Sequence, residues 1–478
     1  MAATQREEEE YLKISITRTT SVNPRAHPPA TQETKVIELS NLDRKCPALM
    51  YLVFFYRSPP PHHQGLSGCC CSSLFTSLKM GLEEVLSAWY PAAGRLSLDP
   101  STAKLDLVCS NSGALFVEAA TPVRISDLGD LSQYNDFYEQ LVYKPPLSTR
   151  LSDMPLVVAQ VTKFGCGGYA VGVGSSHSLF DGLATYNFLN AWASKAAGRV
   201  DGEELELIEP VHERERLLVS HGRSQSNKST RVVAFEHLHQ LIKQAVSMDQ
   251  SMDPGGQLEW VFKFSEMSSR SQQDFVMKTF PLSSAMMECL KSKASGSGGI
   301  VCSSFEVVAA HLWKARTKAL GIAKHRTVCL QFTVDTRTRM DPPLPKGFTG
   351  NAYVLSSISC TCQELENESL ATIVEKIKMA KLSITEDYIK AYLEALEAPQ
   401  SSLPLLPELT MISDWTRTPY HKVDFGLGQA AYVSPLAPPL MQVAYFMQRP
   451  DEAGGMDVRI GLLQEHVAAF SQCFLATV

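Results

Sequence analysis

A histidine and an aspartate four residues apart form the pattern in this chain that is best suited to chemistry. His177 and Asp181 lie in the segment 171–182, in which an apolar alternating run precedes the histidine and Gly182 directly follows the aspartate. Of the twelve histidines, only His177 has an aspartate at this spacing. An imidazole has an ordinary pKa of ~6.5 and can act as a general base near neutral pH. The spacing by itself is weak evidence, because it arises by chance in many chains of this length.

The flanking segments predict that His177 lies where a strand meets a loop. Residues 157–161 and 169–174 have strand-like patterns, and the glycines at 167 and 168 between them indicate a hairpin that leads into the histidine. Apolar residues then recur at helical spacing from 183 to 197. Such a position is typical of catalytic groups, because functional residues are concentrated on loops that a rigid scaffold holds in place.

The length and composition indicate a globular protein of two domains. At 478 residues the chain is longer than the roughly 250–300 residues at which a single core stops growing. A hydrophobic content of 44% and a charged content of 20% suit a sizeable core rather than a disordered chain. The formal net charge of -6 argues against nucleic-acid binding, which usually needs a basic face.

We expect a cytoplasmic, monomeric protein without a transmembrane segment. The N-terminus lacks the charged-then-apolar pattern of a secretion signal. The longest apolar run, at 48–56, is too short for a membrane-spanning helix, which needs roughly 20 residues, and is better explained as a buried strand. The twelve cysteines lack the paired spacing of a zinc site, so we predict no metal centre and interpret them as reduced, mostly buried thiols.

The rest of the chain alternates predicted strands, helices and polar loops, which indicates an α/β fold. Strands are predicted at 12–19, 35–39 and 276–280, helices at 75–86, 235–248, 283–293 and 303–320, and loops or turns at 40–43, 58–71 and 294–299. A polar stretch at 195–230 is typical of an exposed crossover. The sequence therefore predicts two α/β domains of similar size, an N-terminal domain of residues 1–215 and a C-terminal domain of residues 216–478.

Several motifs resemble those of the plant BAHD acyl-CoA-dependent acyltransferases. That family pairs a His-x-x-x-Asp-Gly motif with an Asp-Phe-Gly-Trp-Gly motif in this order, and the segment 414–428, with Asp-Phe-Gly-Leu-Gly at 424–428, resembles the second. Three further segments are similar to family motifs: Tyr-Pro-Ala-Ala-Gly-Arg-Leu at 90–96, Ser-Ser-Phe-Glu at 303–306 with His311 and Trp313, and Asp-Thr-Arg-Thr-Arg at 335–339 before Gly350-Asn351. The resemblance covers nearly the whole chain.

The resemblance implies two CoA-dependent-acyltransferase-like domains with a channel at their interface. It also implies acyl transfer from a CoA thioester to a hydroxyl, with acyl-CoA as a co-substrate and no bound cofactor. In this chemistry His177 is the general base that removes the proton of the acceptor, because an alcohol is too weak an acid to ionise near pH 7. No serine or cysteine forms a nucleophile motif beside His177, so we expect direct transfer without an acyl-enzyme.

The aspartate of the first motif is expected to be structural. An Asp-Gly pair just before a helix is typical of a cap or a turn, so Asp181 and Gly182 are interpreted as parts of the scaffold. The resemblance further implies that Asp181 turns away from the substrate and pairs with an arginine, for which Arg337 is the candidate.

The second motif is also expected to be structural. The resemblance implies that Asp424, Gly426 and Gly428 shape a tight loop that requires small residues. Leu427 occupies the position at which the family usually has tryptophan, so an indole has no role at this position in the present chain.

A few residues are candidates for binding CoA or the acceptor. Ser303 and Ser304 at a predicted helix start could bind the phosphates of CoA, since a helix N-terminus favours anions. Three cations of the same helix are further candidates: Lys314, Arg316 and Lys318. Arg417 aligns with a position that binds an acidic acceptor in hydroxycinnamoyl transferases, and a guanidinium suits a carboxylate.

Three functional alternatives differ in the acceptor or in activity itself. Within the family, the chain most resembles the plant group that includes brassinosteroid-related acyltransferases, through the segments 39–44, 89–94, 177–182 and 310–316. This resemblance favours a brassinosteroid-like sterol as acceptor, with a fatty or phenolic alcohol next. A hydroxycinnamoyl-CoA transferase is a second possibility, and a non-catalytic family member that acts with a fatty-acid elongase in wax synthesis is a third, because Leu427 departs from the motif. A nucleotide-binding enzyme lacks support, because no glycine-rich phosphate loop follows a strand.

Overall fold

The computed structural model describes most of the chain as two compact units. The described residues are 13–25, 35–45, 47–57, 71–146, 148, 150–198, 207–219, 230–249, 275–295, 301–398, 405–437 and 442–475. Of the predicted loops at 58–71 and 294–299, residues 58–70 and 296–299 lie outside these ranges, as do residues 199–206 and 220–229 of the polar stretch at 195–230. Residue 71 begins a helix and residues 294 and 295 end another, so the loop predictions are wrong at these residues.

The described ranges hold strands and helices in alternation. The strands are β1 Ser15–Val22, β2 Val36–Glu38, β3 Leu49–Tyr56, β4 Arg95–Leu98, β5 Leu105–Val108, β6 Ala114–Ala120, β7 Val157–Lys163, β8 Tyr169–Ser176, β9 Phe275–Leu282, β10 Thr327–Asp335, β11 Tyr353–Thr361, β12 Leu409–Asp414, β13 Tyr432–Leu436, β14 Val443–Gln448 and β15 Met456–Leu463. The helices are α1 Asn41–Arg44, α2 Cys71–Ala88, α3 Gly182–Ala196, α4 Val233–Asp249, α5 Ser284–Ser295, α6 Ser304–Ala319, α7 Cys362–Asn367, α8 Leu370–Leu382, α9 Glu386–Ala395 and α10 Val467–Leu475.

The first unit is built on a six-stranded sheet in the order β1-β6-β7-β8-β3-β13. Among the described strands of this sheet, β6 and β7 pair in parallel and the other pairs are antiparallel. The apolar run at 48–56 forms β3, whose last five residues are buried between β8 and β13, so the prediction of a buried strand is confirmed. A separate three-stranded sheet has the order β2-β5-β4.

The predicted hairpin that leads into His177 is confirmed. Strands β7 and β8 pair antiparallel from Val157 with Ser175 to Lys163 with Tyr169. A side chain is excluded at Gly172 in β8, because a Cβ there would lie 2.0 Å from the carbonyl oxygen of Leu141. The glycine therefore allows the backbone of residue 141 to approach the strand that carries His177.

Helices α2 and α3 cover this sheet region through apolar faces. In α3 the apolar residues at helical spacing, Phe188, Leu189 and Trp192, are buried. The indole nitrogen of Trp192 donates to the carbonyl oxygen of Leu78 in α2 at 2.8 Å. A helix that starts at residue 182 and buries this face is fixed in the first unit through its contact with α2, and so is its first residue.

The compact units differ from the predicted division at residue 215. The first unit comprises Met1–Ser220, Leu344–Ala352 and Thr418–Ala437, and the second comprises His221–Pro343, Tyr353–Arg417 and Pro438–Val478. The Asp-Phe-Gly-Leu-Gly segment, which the sequence assigned to the C-terminal domain, belongs to the first unit. The physical reason is backbone pairing over long sequence separations, since β13 pairs with β3 and Val211 forms a parallel bridge with Phe348.

The second unit has its own six-stranded sheet in the order β11-β10-β12-β14-β15-β9. Strands β10, β12 and β14 pair in parallel, and the other pairs are antiparallel. Helix α6 is buried along most of its length. His311 of α6 is hydrogen-bonded through Nε2 to the carbonyl oxygen of Phe474 in α10 at 2.7 Å, which joins the two helices.

Candidate active site

His177 lies in the turn that follows β8, as the sequence predicted. Its backbone N–H donates to the carbonyl oxygen of Ala48 at 3.0 Å, and the turn closes where the N–H of Leu179 donates to Ser176 at 2.9 Å. The residue is half-buried, whereas Ser176 before it and Ser178 after it are buried. The backbone that carries the imidazole is therefore hydrogen-bonded at residue 177 and also across the turn, between residues 176 and 179.

Asp181 caps the helix that follows the turn. Its backbone is extended, and its Oδ1 accepts the N–H of Ala184 at 3.0 Å in the first turn of α3. Its Oδ2 accepts the N–H of Ala352 at 3.1 Å. These contacts support the interpretation of Asp181 as scaffold, because both oxygens are bound to backbone groups.

Tyr420 holds the start of the same helix from the other side. Its hydroxyl donates to the carbonyl oxygen of Gly182 at 2.7 Å, and its ring makes edge contacts with Phe54 and Tyr186. Burial raises the pKa of Tyr420, with a smaller contribution from the negative charge of Asp181. The hydroxyl therefore stays protonated and remains a donor at neutral pH.

Asp424 organises the loop of the second motif. Its Oδ1 accepts three backbone N–H groups, from Gly426 at 2.9 Å, Leu427 at 2.9 Å and Gly428 at 2.7 Å. Gly426 has φ of 84° and Gly428 has φ of 81°, a region that disfavours residues with a Cβ. These features support the proposed structural role of all three motif residues.

Phe425 anchors this loop in the core of the first unit. Its ring lies 4.7 Å from that of Trp192 in α3 and makes edge contacts with Phe54 and Tyr56 in β3. The hydroxyl of Tyr56 donates to the carbonyl oxygen of Val423 at 2.7 Å. The side chain of Leu427, by contrast, is only half-buried.

A buried polar cluster contacts the turn that carries His177, and no local sequence pattern indicates its pairing. The guanidinium of Arg214 donates through Nε to Asp43 at 3.2 Å and through Nη2 to the carbonyl oxygen of Leu179 at 2.9 Å. The side chain of Asn351 donates through Nδ2 to Asp43 at 2.7 Å and to the carbonyl oxygen of His177 at 2.6 Å.

The position of Arg214 corrects the interpretation of the polar stretch at 195–230. That stretch was predicted to be exposed, but the side chain of Arg214 is 1% exposed. An arginine in a charged run resembles a solvated residue, and only the pairing with an aspartate 171 positions away reveals its burial. The neighbouring Glu213 and Glu215 are exposed, in agreement with the prediction.

Arg337 lies in the second unit. Its backbone N–H donates to Asp335 at 2.8 Å, and its Nη1 donates to the same carboxylate at 3.1 Å. The guanidinium is buried. Its proposed pairing with Asp181 stays a prediction.

The serines at the start of α6 form a helix cap. Ser303 accepts the N–H of Glu306 at 3.3 Å, and the carboxylate of Glu306 accepts the N–H of Ser303 at 2.8 Å. Glu306 also pairs with Lys381 at 2.7 Å. Because a carboxylate already occupies this helix N-terminus, a phosphate would meet a negative charge there, which weakens the support for CoA binding by Ser303 and Ser304.

Two of the three cations of α6 are bound within the protein. Arg316 is fully buried and donates to the carbonyl oxygen of Pro407 at 2.8 Å and to Thr410 at 3.1 Å. Burial lowers the pKa of Arg316 to about 10. Lys314 donates to the carbonyl oxygens of Glu366 and Glu368, at 3.2 and 2.5 Å. Of the three, Lys318 alone is exposed.

Arg417 is exposed and follows β12 in the second unit. The preceding Asp414 accepts the backbone N–H of Thr416 at 3.0 Å, which shapes the turn before the arginine. A role for Arg417 in binding an acidic acceptor stays a prediction.

Comparison with known proteins identifies the family. A family model described as the Transferase family matches residues 12–477. The chain is 48% identical over 475 residues to Brassinosteroid-related acyltransferase 1 of Arabidopsis thaliana, and the alignment covers 97% of this chain and 98% of the relative.

Solved structures with the same fold are more distant in sequence. Vinorine synthase has 19% sequence identity and a TM-score of 0.70, with 98% of both chains covered. F. sporotrichioides TRI101, complexed with Coenzyme A and T-2, has 14% identity and a TM-score of 0.64, with 92% of this chain and 97% of that chain covered.

The fold and the motifs define an acyltransferase with two α/β units, as predicted. The chain belongs to the Transferase family of BAHD acyl-CoA-dependent acyltransferases. In the part of the chain that the structure describes, no helix has the length and apolar character needed to span a bilayer.

Proposed function

We propose that His177 is the general base of an O-acyltransferase that moves an acyl group from acyl-CoA to a hydroxyl of a plant metabolite. The observation that carries the proposal is the placement of a half-buried histidine in a turn that backbone and side-chain hydrogen bonds hold from several sides. A base must keep its position relative to two substrates, and a turn fixed in this way suits that requirement.

The proposed reaction is a direct transfer. The neutral imidazole removes the hydroxyl proton as the acceptor oxygen attacks the thioester carbonyl. The C–S bond then breaks, and the imidazolium returns the proton to the departing sulfur, so that the products are the ester and free CoA. The step needs neither an oxidant nor a cofactor beyond the acyl-CoA.

The proposed acceptor is a brassinosteroid-like hydroxysterol. Support comes from the 48% identity to a relative named Brassinosteroid-related acyltransferase 1. The exposed position of Arg417 is compatible with either a neutral or an acidic acceptor, so it does not favour a hydroxycinnamoyl transferase.

The acting form is proposed to be a cytoplasmic monomer. The buried thiols of Cys329 and Cys362 suit a reducing compartment. Light scattering of the purified protein would test the monomer, and a mass of twice the chain mass would contradict it.

The experiment measures free CoA released from a panel of aliphatic and aromatic acyl-CoAs, each incubated with a hydroxysterol, a fatty alcohol or a phenolic alcohol. Mass spectrometry identifies the ester. We expect His177→Ala to lower kcat by at least 100-fold, because general-base catalysis contributes roughly 10²–10⁴-fold. The control is His239→Ala, which changes an exposed histidine of α4. Equal CoA release by the wild type and His177→Ala would contradict the role of the base.

A further inference from the structure

We propose that Asp43 and Arg214 form a buried positioning pair that sets the place of the His177 turn. The inference rests on the proposed role of His177 as the base. The two side chains form an ion pair at 3.2 Å, and each is 1% exposed. Neither is part of the two sequence motifs that indicated the activity.

Arg214 connects the pair to the turn directly. While Nε binds the carboxylate of Asp43, Nη2 donates to the carbonyl oxygen of Leu179, two residues after the base. Arginine presents its donors in a planar fork, so a single side chain can bind both groups at fixed angles. A lysine at this position would have to bind both groups from one nitrogen, without the fixed angle that the planar guanidinium sets between its donors.

Asp43 connects the pair to the turn through Asn351. Its Oδ1 accepts the backbone N–H of Asn351 at 2.9 Å and the side-chain Nδ2 at 2.7 Å. The same Nδ2 donates to the carbonyl oxygen of His177. Asp43 therefore orients both side chains whose remaining donors bind carbonyl oxygens of the turn, at residues 177 and 179.

The carboxylate itself is fixed by local structure. Its Oδ2 also accepts the backbone N–H of Ser40 at 3.2 Å and the hydroxyl of Ser40 at 2.8 Å, as part of the capping box of α1. The carboxylate thus accepts hydrogen bonds from Ser40, Arg214 and Asn351 together. A buried carboxylate with this many donors has a single orientation, which it imposes on its partners.

The cost of burial argues for a role beyond stability. A buried ion pair must overcome a large loss of hydration, and apolar residues of similar volume often stabilise a core equally well. Here Arg214 and Asn351, which Asp43 binds, use their remaining donors on the carbonyl oxygens of Leu179 and His177, in the turn that follows the end of β8. Arg214 and Asn351 contact the turn at backbone carbonyl oxygens. The pair would therefore affect the reaction by fixing the position of His177.

The test compares Arg214→Lys with Arg326→Lys as a matched control. Arg326 forms a buried pair with Glu408 in the second unit, with side chains 11% and 10% exposed. Both variants weaken a buried ion pair, but only the first contacts the His177 turn. Circular dichroism gives the folded fraction of each variant, and activity is compared at equal concentrations of folded protein. A loss of folded protein is then not mistaken for a loss of catalysis.

We expect Arg214→Lys to lower kcat by about 10–100-fold with both KM values within threefold, because a misplacement of about 1 Å can cost roughly 100-fold in rate. Arg326→Lys should keep kcat within twofold. Asp43→Asn, which retains the side-chain shape, should show the same kcat effect as Arg214→Lys. A kcat for Arg214→Lys and Asp43→Asn no lower than that of Arg326→Lys would overturn the proposal.

Hydrogen exchange separates this proposal from the proposed function. The N–H groups of Leu179 and Phe180 both donate to Ser176 within the turn, so they should exchange at least tenfold faster in Arg214→Lys than in the wild type. Unchanged exchange would overturn the positioning role. Faster exchange in Arg214→Lys together with full activity of His177→Ala would support the positioning of the turn and refute the role of the base.

Discussion

His177 and Asp181 belong to one motif, but their side chains have different surroundings. The carboxylate of Asp181 binds the N–H groups of Ala184 and Ala352, so it fixes the start of α3 and the segment 344–352. His177 is held through its backbone, at its N–H and at its carbonyl oxygen. The backbone bonds hold His177 in place, while the aspartate supports the local fold.

This difference predicts a loss of stability when Asp181 is replaced. Asp181→Ala removes a helix cap and leaves the buried N–H of Ala352 without its acceptor, so we expect the free energy of unfolding to fall by about 2–4 kcal/mol. Activity should fall as well, because the loop that carries His177 moves. Chemical denaturation followed by circular dichroism measures the first quantity, and CoA release measures the second.

Ser369→Ala is the matched control for this prediction. Ser369 caps α8 in the second unit by accepting the N–H of Thr372 at 3.1 Å. Its replacement should cost about 1 kcal/mol and leave kcat unchanged. The scaffold interpretation fails if Asp181→Ala is as stable as the wild type, or if its loss of activity occurs without any change in stability.

At the residue scale, arrangements of residues close together in the sequence were predictable, and contacts between residues far apart in the sequence were not. The His-x-x-x-Asp spacing and the helix start at 303–304 are local, and the chain pattern indicated both. Asp43 and Arg214 are separated by 171 positions, and each resembles an ordinary charged surface residue in its own segment. Only the folded chain shows that they are buried together beside the turn that carries His177.

At the element scale, the second motif holds its segment against β3 and α3. Phe425 packs between Trp192 and the aromatic residues of β3, and Asp424 closes the loop that follows. Leu427, which departs from the family motif, has a half-buried side chain in this loop. Its backbone N–H donates to Asp424, as do the backbone N–H groups of Gly426 and Gly428. The loop shape therefore depends on Asp424 more than on residue 427.

We accordingly expect Asp424→Ala to be harmful and Leu427→Trp to be nearly neutral. Asp424→Ala leaves three loop N–H groups without their acceptor, so the free energy of unfolding should fall by about 1–2 kcal/mol, as for a lost cap, and kcat should fall with it. Leu427→Trp should change the melting temperature by less than 2 °C, about the effect of a few tenths of a kcal/mol, and keep kcat within about threefold. A large gain in kcat for Leu427→Trp would show instead that the usual tryptophan has a direct role.

At the scale of the whole molecule, the class of fold was predictable but the division of the chain was not. Alternating strands and helices, and the length, indicated two α/β units. The return of 418–437 to the first unit depends on β13 pairing with β3, and that of 344–352 on contacts with Val211. No local pattern encodes a pairing between strands this far apart, because a strand's alternation does not specify its partner.

Four buried or half-buried histidines give the molecule a stability that depends on pH. Burial lowers the pKa of His212 to about 4, and burial also lowers the pKa of His237, His311 and His421. A histidine with a folded pKa below its unfolded value of about 6.5 binds fewer protons in the folded state. Stability therefore rises with pH in this window, is complete above about pH 6.5, and is lost as pH falls toward 4.

His212 should account for a large part of this loss. Its Nδ1 lies 3.0 Å from the hydroxyl of Thr349 and its Nε2 3.1 Å from the carbonyl oxygen of Ala88, so it joins two segments of the first unit while neutral. We expect the free energy of unfolding of His212→Gln to fall less steeply than that of the wild type between pH 6.5 and 4. Urea denaturation at steps of half a pH unit measures this quantity. The control, His239→Gln on the exposed face of α4, should follow the wild-type curve. If the free energy of unfolding of His212→Gln fell with pH as steeply as that of the wild type, the proton uptake on unfolding would belong to the other three histidines.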